Sequence, residues 1–240
     1  MAVLHLITAE RPLGRPAHGT AVTRRLGALG ALTSDDFTLL AALKGRTVPA
    51  GTTLPIASPC LILSGWVARI SVWPAEQPQL MALLLPGDSF GLCAPSWAGD
   101  ELPVTLLTDS VLLDASPIRS LTETNSLRHA ALIDACRKAG LLEQHRILDH
   151  LVRLGRCGAD QRVAHLAHDL YNRLDAVGLV DRMQFQLPLR QQILADALGL
   201  SGVHFNRIAR RLKQNGLADF SRGAVRILDP TKLAALAGIK

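Results

Sequence analysis

Residues Gln191–Arg210 read QQILADALGLSGVHFNRIAR. The residue types follow the order of two short helices joined by a tight turn. Ile193, Leu194, Ala197 and Leu198 form an apolar face on the first helix, and Ala195 is small where a second helix must cross closely. Gly199 supplies the positive φ that a bulkier residue would strain. Ser201 is a natural N-cap. Phe205, Ile208 and Leu212 then fall at i, i+3 and i+7, the inner face of the second helix. Each element is common alone, and a helical hairpin in an ordinary core would use some of them. The full set within one short stretch fits a helix-turn-helix that reads DNA. The outer face of the second helix presents His204, Asn206, Arg207, Arg210 and Arg211, with Ser201, Gly202 and Val203 near its N-terminus. That is where recognition helices meet base edges. An arginine can pair with guanine O6 and N7, and a valine can touch a thymine methyl.

Past Gly216, Leu217–Leu228 alternates around Ser221-Arg222-Gly223, a short hairpin with Arg222 at its tip. A wing of this kind sets an arginine against a phosphate. From Arg182 to Arg226 eight basic residues stand against Asp196 and Asp219, an excess equal to the whole chain's formal charge of +6. The remainder is close to neutral, so the positive field sits on this segment.

Upstream, Asp160–Leu174 carries Val163, Leu166, Ala167, Leu170 and Leu174 on one helical face, and Gly155–Gly158 reads as a hinge. From near Pro117 the pattern is helical for about forty residues. Leu132, Ile133, Cys136, Ala139, Leu142, Leu148, Leu151 and Val152 form an apolar stripe interrupted at Gly140. A helix covering its own domain's core would show such a stripe. Its length favours a dimer seam through Leu132, Cys136, Ala139, Leu148 and Val152. Between Arg46 and Ala115 short apolar runs (Leu61–Leu63, Trp66–Trp73, Leu80–Leu85 and Val104–Leu113) alternate with Gly and Pro turns, the texture of an all-β roll. Thr33-Ser34-Asp35-Asp36 offers N-caps for a helix bearing Phe37, Leu39, Leu40 and Leu43. The expected class is α+β: a flexible tail over 1–25, an effector roll over 26–118, a dimerisation helix over 119–155 and a winged helix-turn-helix over 156–240.

The run from Leu187 to Arg207 resembles the Crp/Fnr family of bacterial regulators, and Val48–Thr53, Leu63–Val67 and Leu84–Asp88 resemble that family's effector roll. The likeness covers roughly residues 25–235. It implies a cyclic-nucleotide-binding-like (cupin-like) roll, a dimerisation helix and a winged reader, hence a homodimer on a near-palindromic operator in double-stranded DNA, with RNA polymerase as a further partner. It also implies that Ser201, Gly202, Val203 and Arg207 face DNA while Gln191 and Gln192 approach its backbone. Several members carry an Arg-Glu pair or a Glu where this chain has Gly202-Val203, so their base preferences do not transfer.

Other classes find less support. Members that hold cyclic AMP place a Glu after Phe-Gly and an Arg-Ser pair further on. Here Leu92 follows Phe90-Gly91, the second position falls near Asp100-Glu101, and Val72 to Ser116 contains no arginine. Carboxylates there would repel a cyclic phosphate. Residues 1–59 hold no cysteine for an iron–sulfur cluster, and no histidine occurs between His18 and His129 to ligate haem or a cupin metal. His129, His145 and His150 read as solvated or interface residues. Cys60, Cys93, Cys136 and Cys157 lie far apart, the usage of a reducing compartment, and no signal peptide or membrane span is expected. No catalytic or metal-ligating residue is expected, no cofactor is evident and the effector is unspecified. The expectation is a cytoplasmic regulator, with a ligand-sensing or interaction module bearing a degenerate DNA-binding domain as the alternative.

Overall fold

A computed structural model describes residues 20–55, 57–71, 79–92 and 103–239. The chain forms two compact units, Met1–Ile147 and Leu148–Lys240. In the first, α1 (Thr20–Gly27) and α2 (Ser34–Ala42) precede β1 (Gly45–Val48), β2 (Thr53–Leu54), β3 (Cys60–Ser64), β4 (Val67–Ile70), β5 (Leu80–Leu84), β6 (Ser89–Phe90), β7 (Val104–Leu106) and β8 (Ser110–Asp114). Then come α3 (Ser116–Glu123), a 3-10 turn over Leu127–His129, and α4 (Ala130–Arg156), whose last turns belong to the second unit.

The strands form two antiparallel sheets in the orders β1-β8-β3-β6 and β2-β7-β4-β5. Strand alternation explains how the roll is filled. Cys60 and Ile62 of β3 join Val67, Leu84, Phe90, Val104, Leu106 and Leu112 in a cluster drawn from both sheets. Leu61 and Leu63 turn the other way and pack with Val22, Leu26, Leu40, Ile118, Leu132 and Cys136 from the helices. Covered on both faces, β3 reads as a continuous apolar run.

Several expectations change here. Residues 1–19 of the expected tail lie outside the described residues, but residues 20–25 are part of α1, anchored by Val22 and Leu26 in the core. The Val104–Leu113 run divides into β7 and β8, because Thr108 and Asp109 turn the chain: Trp66 N donates to Thr108 Oγ1 at 2.9 Å and Ala50 N to Asp109 Oδ1 at 2.8 Å. Trp73 of the Trp66–Trp73 run, with Val72, lies outside the described residues. Leu132 and Cys136 are not presented to a partner, since both are buried in the first unit's own core. His129 is not solvated either: its Nδ1 stands 2.7 Å from Asp36 Oδ1. Burial pushes the Asp36 carboxyl up, but hydrogen bonds from Thr33 and His129 outweigh it and hold the group below the ordinary range. The same Asp36 closes the capping box with Thr33 that starts α2.

In the second unit α5 (Ala159–Ala176), β9 (Gln184–Gln186), α6 (Gln191–Ala197), α7 (Gly202–Gln214), β10 (Ala218–Ser221), β11 (Ala224–Ile227) and α8 (Pro230–Leu236) follow the end of α4. The break expected at Gly155–Gly158 narrows to Cys157 and Gly158, and Gly158 N donates to Gln161 Oε1 at 3.0 Å as α5 begins. Val163, Ala167, Leu170 and Leu174 are buried on α5, as the periodicity requires. β9 was not expected; it pairs with β11 and makes the wing a three-stranded sheet, β10-β11-β9. Among the described residues no helix is long and apolar enough to cross a membrane.

Candidate nucleic-acid interface

The helix-turn-helix is built from its turn outward. Gly199 sits at φ 62, a left-handed conformation that an L side chain would strain. Leu200 N donates to Ala195 O at 2.9 Å. Below the turn, Arg162 Nη1 donates to Leu198 O at 2.8 Å, satisfying one of the carbonyls that the end of α6 leaves open. Ser201 is the N-cap of α7, its Oγ accepting from His204 N at 3.2 Å.

Phe205, Ile208, Ala209 and Leu212 bury the inner face of α7. Phe205 meets Phe220 of β10 edge-on, with ring centroids 5.6 Å apart at 84°. Lys213 Nζ reaches Asp219 Oδ2 at 2.8 Å, and Arg211 pairs with Asp160 of α5. Two of the basic residues counted in the sequence are therefore tethers that fix α7 to its neighbours.

The opposite face is open. Val203 is 82% exposed, and Asn206, Arg207 and Arg210 are exposed beside it. Val203, Asn206, Arg207 and Arg210 fall at i, i+3, i+4 and i+7, one stripe along the helix. Arg207 and Arg210 form no ion pair or hydrogen bond among the described residues. In particular Asp196, the carboxylate nearest in the motif, accepts from Gln192 Nε2 at 2.7 Å. Sequence reasoning missed the pairing of Asp196 with Gln192, whose only signal was their i+4 spacing. Gln191 is half-buried at the first position of α6, and Gln192 is exposed beside it. His204 is half-buried, so of the predicted contact residues it reaches solvent less than its neighbours.

The wing carries Arg222 at its tip. Ser221 pairs with Ala224, leaving Arg222 at φ 54 and Gly223 at φ 71 as the two residues of the turn. Positive φ at both positions is the hairpin turn that matches strand twist, and it favours Asn-Gly. An arginine there is held against its backbone preference.

In the first unit, Leu92 is buried among the helix-facing core residues at 6% exposure, just after Gly91 at φ 75. Asp100 and Glu101 lie outside the described residues. Among the described residues no group of three or more His, Cys, Asp or Glu side chains could hold a metal ion. In the second unit, His150 and His165 are half-buried. Burial lowers both, with Arg153 adding to it; His165 falls to about 4. The nearby Ala197 backbone opposes that shift at His150, which is not a freely solvated residue. Of the predicted seam residues, Ala139 is half-buried while Leu148 and Val152 are each 61% exposed, with Leu141, Leu142 and Leu151 also uncovered.

A Crp-like helix-turn-helix domain family matches residues 161–236. The transcriptional activator protein FnrA of Stutzerimonas stutzeri is 30% identical over 206 residues, 81% of this chain and 81% of its own length. The nitrogen fixation regulation protein FixK of Bradyrhizobium diazoefficiens is 26% identical over 180 residues, 73% of this chain and 72% of its own. Among solved structures, FixK2 from Bradyrhizobium japonicum aligns with a TM-score of 0.67 at 20% identity, covering 81% of this chain and 97% of that one.

Proposed function

The chain belongs to the Crp/Fnr family of DNA-binding transcription regulators, and we propose that it acts as a cytoplasmic homodimer, each subunit reading one half of a near-palindromic operator with α7. The observation that carries this reading is the uncovered stripe Val203, Asn206, Arg207 and Arg210, set on a helix whose other face is fully packed. Val203 is suited to a thymine methyl and Arg207 to guanine O6 and N7. Arg222 serves affinity from the wing by meeting a phosphate, which carries no sequence information. Unpaired arginines kept at these positions weigh against a degenerate DNA-binding domain.

The dimer seam in this reading runs along the uncovered residues of α4, Leu141, Leu148, Leu151 and Val152, with Ala139 at its edge. Leu132 and Cys136 support the seam from within the first unit's core. The roll does not take a cyclic nucleotide: Leu92 is committed to apolar packing at the position where members that hold cyclic AMP place a Glu. RNA polymerase is the partner through which such a regulator acts on transcription. The direct test is selection of a randomised duplex library by the full chain. A consensus with two inverted half-sites is expected, and recovery of unselected sequence would overturn the reading.

A further inference from the structure

Gly202 opens α7 without a side chain. The reason lies across the turn. A Cβ built on Gly202 would stand 2.5 Å from Gln192 Oε1 and 3.6 Å from Gln192 Cδ. The Gln192 amide thus fills the space that a side chain at 202 would take. Its orientation follows from its other partner. Gln192 Nε2 lies 2.7 Å from Asp196 Oδ1, and an ionised carboxylate only accepts hydrogen bonds. The nitrogen must therefore face Asp196, and the carbonyl oxygen faces Gly202.

We propose that Gln192 is a base-reading residue that selects adenine in each half-site, in place of the side chain missing at Gly202. This rests on the DNA-binding reading above and departs from the backbone role that the family resemblance implies for Gln192. A phosphate oxygen carries no proton, so Oε1 has no partner on the DNA backbone. The donors in the major groove are the amino groups of cytosine and adenine. One amide N–H is held by Asp196, and the other remains beside Oε1. A donor next to an acceptor matches adenine N7 and N6, whereas cytosine presents only its amino donor there. Asp196 acts as a positioning residue: it fixes the amide and its charge repels phosphates from the same spot.

The test uses the full chain and a duplex selected from a randomised library by the wild type. Affinities for every single-base variant of that duplex are then measured for wild type, Gln192→Ala and Gly202→Ala. Gln192→Ala is expected to lose discrimination at one adenine position per half-site, by about 5- to 150-fold, and to keep the rest of the profile. Gly202→Ala is expected to flatten the same position although Gln192 is still present. The atom in its way is the end of a flexible side chain, so the amide moves aside, and the added alanine does not lower the Tm. Loss by an equal factor on every duplex in Gln192→Ala would overturn the proposal, as would an unchanged profile in Gly202→Ala or a lost position that is not adenine. If the wild type selects no consensus at all, the regulator reading itself has failed.

Discussion

Replacing Arg222 by asparagine should make the protein more stable and a weaker DNA binder at once. Arg222 occupies φ 54 in a two-residue turn with Gly223 at φ 71. An L residue in the left-handed region costs about 1–2 kcal/mol, and asparagine tolerates it with less penalty. Arg222→Asn creates the Asn-Gly pair that this turn favours, so the hairpin should gain about 1 kcal/mol. If the wing opens locally, amides of the Ala218–Ser221 and Ala224–Ile227 strands should exchange about fivefold more slowly. The lost guanidinium has the opposite effect on binding. The homodimer loses two phosphate contacts, one per subunit, which should reduce the slope of log affinity against log salt by about 1.8. Arg222→Lys, which keeps the charge, should leave that slope unchanged. The assays are hydrogen exchange of the free protein and binding titrations at several salt concentrations. Exchange that does not slow would refute the strain argument, and an unchanged slope in Arg222→Asn would refute the phosphate contact.

Three further outcomes follow from the same geometry. Leu148→Glu with Val152→Glu should give a monomer in sedimentation where the wild type is a dimer at micromolar concentration, because both side chains are 61% exposed on α4; a monomeric wild type would contradict the seam. His165 is held near 4 by burial and by Arg153, below the unfolded value of 6.5, so the unfolded chain binds more protons between those values. The His165 contribution to denaturant stability should be full above about pH 6.5 and decline as pH falls toward 4, and His165→Asn should reduce that decline; an unchanged pH profile between those values counts against it. Calorimetry with cyclic AMP should show no binding at micromolar concentrations, since Leu92 is packed in apolar core; a micromolar dissociation constant would overturn that.

The helix-turn-helix was legible because its signals are local. Gly199, Ser201, Phe205, Ile208 and Leu212 each state their role within one turn of the chain, and the structure uses them so. The roll was legible as a texture of short runs and turns, though a run such as Val104–Leu113 hid its Thr108-Asp109 corner. What escaped depends on contacts distant in sequence. α1 looked like tail because Thr20–Gly27 is short and follows a Pro- and Gly-rich stretch, and only Ala21, Val22 and Leu26 mark its buried side. β9 is three residues with a single buried one, Phe185, too short for any period to register. Leu132 and Cys136 share spacing with the exposed residues of α4, and periodicity cannot tell core from seam along one stripe. The pairing of Gln192 with Asp196 over Gly202 required the turn itself to be in place.

Sequence reading by the uncovered face of α7 is measured by titrating wild type and Arg207→Ala against the selected duplex and a scrambled one at physiological salt. The wild type should favour the selected duplex by about 10³-fold or more. Arg207→Ala removes one bidentate guanine contact from each half-site and should reduce that ratio by about 30-fold or more. A ratio that Arg207→Ala leaves unchanged would contradict the account.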